Sequence, residues 1–252
     1  MEQQFSRYIK DHYFSLKCLP RDTVRQSIEC AEINAMPAEM RSSDIDSFGN
    51  SVIIGHTIRP HDTFTVQLTG TVRTGLEVFE EKSDTAPMIF SYPSRATIPG
   101  VHLIHYHNML AHDAPDGIYQ RALYYMRCIH SYFSYCPGAT SVSTTAENAA
   151  ALGKGVCQDY AHVMLALCRA DRIPARYVVG MMIGEGVSHA WVEVKCGQYW
   201  YGFDPTNNCL VDDTYIKISH GLDFFDTLVN KGIYHNPAVE VQKIRVEVTE
   251  IL

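Results

Sequence analysis

No run of about 18 apolar residues, the minimum for a membrane-spanning helix, occurs anywhere in the chain. Nor is there an excess of basic charge. Lys and Arg number 21 against 28 Asp and Glu, a formal net charge of −7, so the chain offers no basic face for nucleic acid. Residues 1–10 hold no apolar core of a secretory signal, and a cytoplasmic location is the expectation. The eight cysteines form no C-x-x-C pair and the chain is too long to need stapling, so they are expected as free thiols. No DxDxDG pattern of a calcium loop appears. His102, His105, His107 and His112 gather without a completing Cys or carboxylate cluster, so a partly exposed helix is expected there rather than a metal centre. No cofactor is expected.

What is present is an ordinary globular composition, 46% hydrophobic and 19% charged, in 252 residues, enough for one large or two small cores. The chain is organised around GKGVCQDYAH at residues 153–162. Two glycines end in a helical pattern, with Val156, Tyr160, Val163, Met164, Leu167 and Cys168 recurring at helix spacing. Cys157 therefore falls at a helix start. There the free N–H groups and the positive end of the dipole favour a thiolate over a thiol. Asp159 and His162, farther round the same helix, point away from Cys157 and are not placed to act as its base. Downstream, residues 190–194 alternate, residues 195–198 read as a turn, and residues 199–203 return as a second strand. Such a hairpin brings His189 and Asp204 side by side, a carboxylate orienting an imidazole. Trp191 is expected in the core, facing away from His189, with Trp200 and Tyr201 in the core or a groove wall.

The flanking regions divide in two. Residues 51–58 and 64–72 carry β-branched residues in alternation, and Asp46-Ser47-Phe48-Gly49-Asn50 is a turn. An antiparallel β domain is expected up to about residue 95, closed by a polar, proline-bearing linker at residues 80–87 and 91–94. Residues 118–133 predict a helix with a core-facing stripe. Thr144-x-x-Glu147 predicts a capping box for a short helix at 146–152. Residues 215–218 and 239–248 predict strands, the latter an edge strand.

The strings GVCQDYAH, IPARYV, HAWVEV and FDPTN occur in an order and spacing that resembles bacterial transglutaminase-like cysteine proteases, over about residues 131–232. DSFGN resembles a turn in the β domain that precedes such cores. The resemblance implies an α+β protein: an N-terminal antiparallel β domain (1–95), then a papain-like core (96–252) with Cys on a helix and His and Asp on adjacent antiparallel strands. It implies Cys157 as nucleophile, His189 as general base and acid, and Asp204 as the orienting carboxylate. An oxyanion would be held by the Cys157 backbone N–H and a second donor, Tyr135 or Gln158. Asp159 and Arg176 are expected as a supporting pair. Where the family carries Gly-Arg-Asp-Tyr, this chain has Leu222 in place of Arg. The implied activity is hydrolysis of an amide bond in a peptide or protein; acyl transfer to a lysine amine and a non-catalytic peptide-binding role are the alternatives.

Overall fold

A computed structural model describes residues 1–83 and 87–251. The first five strands, β1 (Glu2–Leu16), β2 (Ser27–Met36), β3 (Met40–Ile45), β4 (Ser51–Thr57) and β5 (His61–Arg73), form an antiparallel sheet in the order β2-β5-β1-β4-β3. At 15 residues β1 is long enough to serve two half-sheets: residues 2–4 and 9 pair with β5, and residues 12–16 pair with β4. Its inward residues, Phe5, Ile9, Phe14 and Leu16, pack with Ile53, Phe64 and Val66. Between Ile9 and His12 the alternation slips by one residue, at Asp11 with φ 50°, which returns His12 and Phe14 to the inward face.

The second unit contains α1 (Val101–Ala111), α2 (Ile118–Tyr132), the two-residue β6 (Ser134–Tyr135), α3 (Ala146–Leu152), β7 (Lys154–Gly155) and α4 (Cys157–Ala170). Next come β8 (Ala175–Met182), β9 (Gly184–Gly186), β10 (His189–Cys196), β11 (Tyr199–Asp204), β12 (Cys209–Leu210) and β13 (Tyr215–Gly221). Five of these strands form an antiparallel sheet in the order β12-β11-β10-β8-β13. Every residue of α4 from Gln158 to Arg169 is buried, so this helix is the centre of the core rather than an amphipathic cover. Val163, Met164 and Leu167 join Tyr177, Val179, Val192, Val194 and Phe203 in one cluster. The opposite face of the sheet carries Val178 and Trp191, packed with Val211 and Tyr215, and turns toward the β domain.

The chain then returns. β14 (Asn230–His235) and β15 (Glu240–Lys243) both pair with β1, whereas β16 (Val246–Val248) pairs with β9. A division at residue 95 counts β14 and β15 with the core; their hydrogen bonds lie in the first sheet. The expected strand at 239–248 is likewise two short strands with different partners. Of the expected linker, residues 84–86 lie outside the described residues. Residues 80–83 run along β11, where Glu80 N donates to Trp200 O. No described helix is long and apolar enough to cross a membrane.

Side chains from the β domain finish the edge strand β13. Gln26 Nε2 donates to Lys217 O and its Oε1 accepts from Lys217 N, both at 2.8 Å. Asn50 makes the same two-way contact with the backbone of His220, at 2.7 and 2.8 Å. These amides stand in for a neighbouring strand's peptide groups, leaving the edge satisfied where the two units meet.

Candidate active site

Cys157 is the first residue of α4, and the approach to it is fixed by local chemistry. α3 ends at Gly153 with φ 61°, a left-handed conformation that favours glycine. Gly155 lies so close to Asp159 that a Cβ would sit 2.3 Å from its Oδ2. That carboxylate oxygen accepts from the Val156 backbone N–H at 2.8 Å and from Thr140 Oγ1 at 2.7 Å. Asp159 thus caps the helix that begins with Cys157, and burial pushes its carboxyl above the usual range despite these two bonds. Its expected partner Arg176 is elsewhere. Tyr177 faces α4, so its neighbour Arg176 projects from the opposite side of β8. There it pairs with Glu193 at 2.6 Å and Glu81 at 3.1 Å.

His189 opens β10, and Asp204 closes β11. The hairpin register, with Val192 opposite Phe203 and Cys196 opposite Tyr199, brings the two ends together. His189 Nε2 donates to Asp204 Oδ2 at 2.7 Å. Asp204 is fully buried, and that same oxygen accepts from Tyr215 Oη at 2.8 Å and Asn207 Nδ2 at 2.7 Å. Its Oδ1 accepts from the backbone N–H groups of Thr206 and Asn207. Burial alone would make this carboxylate a weaker acid; the imidazole and the other donors outweigh it and hold the carboxyl below its ordinary value.

With Nε2 on Asp204, the ring's Nδ1 is the nitrogen left for the nearby Cys157 thiol. Burial favours the neutral imidazole, yet Asp204 and Cys157 prevail and push its pKa up to about 9. The structure thus brings Cys157, His189 and Asp204 together from three separate elements.

The remaining expected residues divide. Tyr135 lies near Cys157: burial, and then the thiol's charge, push its phenol pKa up, while its side chain stays exposed. Gln158 spends its amide on Val142 O at 3.1 Å. His162 is buried behind the site, where its Nε2 accepts from Phe224 N at 3.2 Å. Trp191 is not turned away from His189. Residues 189 and 191 are two apart on one strand and therefore share a face, and their rings stack with centroids 6.4 Å apart.

Asn207 and Tyr215 were not anticipated as site residues. Asn207 ends the FDPTN string, where its amide could have been suspected; Tyr215 required knowing that β13 lies on the same face as Asp204. Two of the histidines at 102–112 tie α1 to its neighbours: His102 Nδ1 bonds Glu147 and His107 Nε2 bonds Asp171, at 2.9 and 2.8 Å. Among the described residues, no group of three or more His, Cys, Asp or Glu is arranged to hold a metal. All eight cysteines are free thiols. A cavity of about 710 Å³ lies away from Cys157 between the two units, lined by Phe48, Phe90, Arg176, Trp200, Lys217 and His220.

A buried helix presenting a cysteine at its start, beside a sheet that presents a histidine–aspartate pair, defines an α+β core with a thiol–imidazole–carboxylate constellation. Residues 108–205 match the transglutaminase-like superfamily, and residues 1–73 match the bacterial transglutaminase-like N-terminal region. The chain therefore joins a transglutaminase-like core to the N-terminal domain found in bacterial proteins of this kind. It is similar to an uncharacterised protein of Mycobacterium leprae, 27% identical over 92% of this chain and 90% of that one. An uncharacterised protein of Mycobacterium bovis is 28% identical over 98% and 90%. The solved structure of a candidate cysteine protease from Cytophaga hutchinsonii covers 100% of this chain and 90% of its own, with a TM-score of 0.78. At 22% identity that likeness is one of fold.

Proposed function

We propose that the chain is a cysteine hydrolase that cuts an amide bond in a peptide or protein through Cys157, His189 and Asp204. The observation that carries the reading is the 2.7 Å bond from His189 Nε2 to a fully buried carboxylate, which leaves Nδ1 for the thiol at the start of α4. The imidazole takes the thiol proton, and the thiolate attacks the carbonyl carbon. The oxyanion is held by the Cys157 backbone N–H, unused at a helix start, and by the Tyr135 phenol, since Gln158 is engaged with Val142. Collapse breaks the C–N bond, and the imidazolium hydrogen-bonded to Asp204 returns its proton to the departing amine. The thioester is then resolved by water, which gives one proton to His189 and its oxygen to the acyl carbon; the thiol is restored and the product acid released.

Incubating the protein and Cys157→Ala with a mixed peptide library, with and without a primary amine, tests this by mass. Cleaved or deamidated products from the wild type alone are expected. Amine incorporation would replace hydrolysis with acyl transfer. No product from any peptide together with no preferential alkylation of Cys157 would favour a binding role, whereas selective alkylation without product would point to a narrower substrate.

A further inference from the structure

We propose that Tyr215 is a positioning residue for this site: its phenol holds the Asp204 carboxylate and so sets how tightly Asp204 grips the His189 imidazole. The inference rests on the catalytic reading above and adds a fourth residue to it. Tyr215 opens β13, on the far side of β8 from β10, and is buried with Trp191, Val178 and Val211 on the face that also carries His189. Its ring lies 5.4 Å from Trp191 and 6.2 Å from His189, centroid to centroid. A carboxylate can only accept, so the single phenol proton must go to Asp204 Oδ2, at 2.8 Å. Cys209 Sγ lies 3.3 Å from the same phenol oxygen, and with that proton spent the thiol is the donor. The result is a directed chain, Cys209 to Tyr215 to Asp204, which meets His189 on one carboxylate oxygen.

The titratable groups facing the imidazole are Asp204 from β11, Cys157 from α4 and Tyr215 from β13, with Cys209 of β12 behind the phenol. His189 Nε2, Tyr215 Oη and Asn207 Nδ2 all donate to Asp204 Oδ2 and compete for its charge. Tyr215 therefore stabilises the carboxylate while tempering its pull on His189. Removing the hydroxyl concentrates that charge on the imidazolium, which then holds its proton to higher pH.

The test reads the imidazole directly. NMR titration of His189 in the intact protein is compared with Tyr215→Phe and with 3,5-difluorotyrosine placed at position 215, whose more acidic hydroxyl is the stronger donor. The phenylalanine variant is expected to move the His189 pKa upward by about half a unit, and the fluorinated variant to move it downward. The alkaline limb of Cys157 alkylation should follow each shift. An unmoved imidazole in the fluorinated protein, which keeps the size of the side chain, would overturn the proposal, as would shifts of the same sign in both. Failure of the catalytic reading is separable: the imidazole would still respond to position 215 while Cys157 showed no preference for alkylation.

Discussion

His12 is a fully buried imidazole and His189 a largely enclosed one, one in each sheet, and their chemistry diverges in opposite directions. His12 sits among Phe5, Phe14, Phe64 and Tyr234, with another histidine as its hydrogen-bond partner. His61 Nδ1 donates to Arg59 O, so in the neutral pair His61 Nε2 accepts from His12 Nδ1 at 3.2 Å. His12 Nε2 is left buried without a partner. Burial, reinforced by His61 and His56, pushes its pKa down to about 4, and the ring stays neutral. His189, with 13% of its side chain exposed, has a carboxylate on one nitrogen and the Cys157 thiol near the other, and its pKa rises to about 9. Burial sets the cost of the charged form; the partner decides whether that cost is met.

Removing the anion from the second case breaks the comparison most sharply. Asp204→Asn leaves burial opposed only by Cys157, and the His189 pKa should fall well below about 9, in the direction of the His12 case. The rate of any Cys157-dependent hydrolysis should fall by up to about 10⁴-fold, as for an asparagine in an analogous triad. NMR titration and single-turnover rates check both.

A buried cluster extends the rule to strong electrolytes. Glu193 bonds both Arg176 and Lys217, at 2.6 and 2.7 Å, and Lys217 also reaches Glu80 at 3.1 Å. Glu193→Gln leaves two buried cations short of their shared anion, and urea unfolding should show a loss of about 3–5 kcal/mol.

The smallest effects come from pH. His12 has a folded pKa below its unfolded one, so its stability contribution is present above pH 6.5 and is lost as pH falls toward about 4. His189 is the reverse: its contribution is full below 6.5 and is lost as pH rises through about 9. Melting temperature against pH should therefore fall on both sides. His12→Phe should flatten the acid side by about 1–3 kcal/mol and leave the alkaline side alone.

The core was legible because its chemistry is local. A glycine-bounded helix start marks Cys157 and an alternating hairpin brings His189 beside Asp204 from local pattern alone; that the two pieces belong to one site came from the resemblance. What escaped depends on contacts distant in sequence. The return of β14 and β15 to β1 joins residues more than 210 apart, from Leu16 with Asn230 to Glu2 with Lys243, and nothing in either strand's own pattern names its partner. Tyr215 reaches Asp204 only because β13 lies on the far side of β8. The capping box at Thr144 failed for a similar reason: Thr145 caps α3, accepting from Asn148 N at 3.3 Å, whereas Glu147 is drawn to the backbone N–H groups of Gly100, His102 and Leu103 at the start of α1. Trp191 was readable all along, since a two-residue spacing places it on the face of His189.

Alkylation of the intact protein by iodoacetamide, mapped by mass over a range of pH, tests the activation of Cys157 most directly, with Cys136, another half-buried free thiol, as internal reference. Cys157 should react faster than Cys136 at about pH 6, and His189→Ala should remove the preference. A Cys157 no more reactive than Cys136 at any pH, or a preference that survives without the imidazole, would contradict that activation.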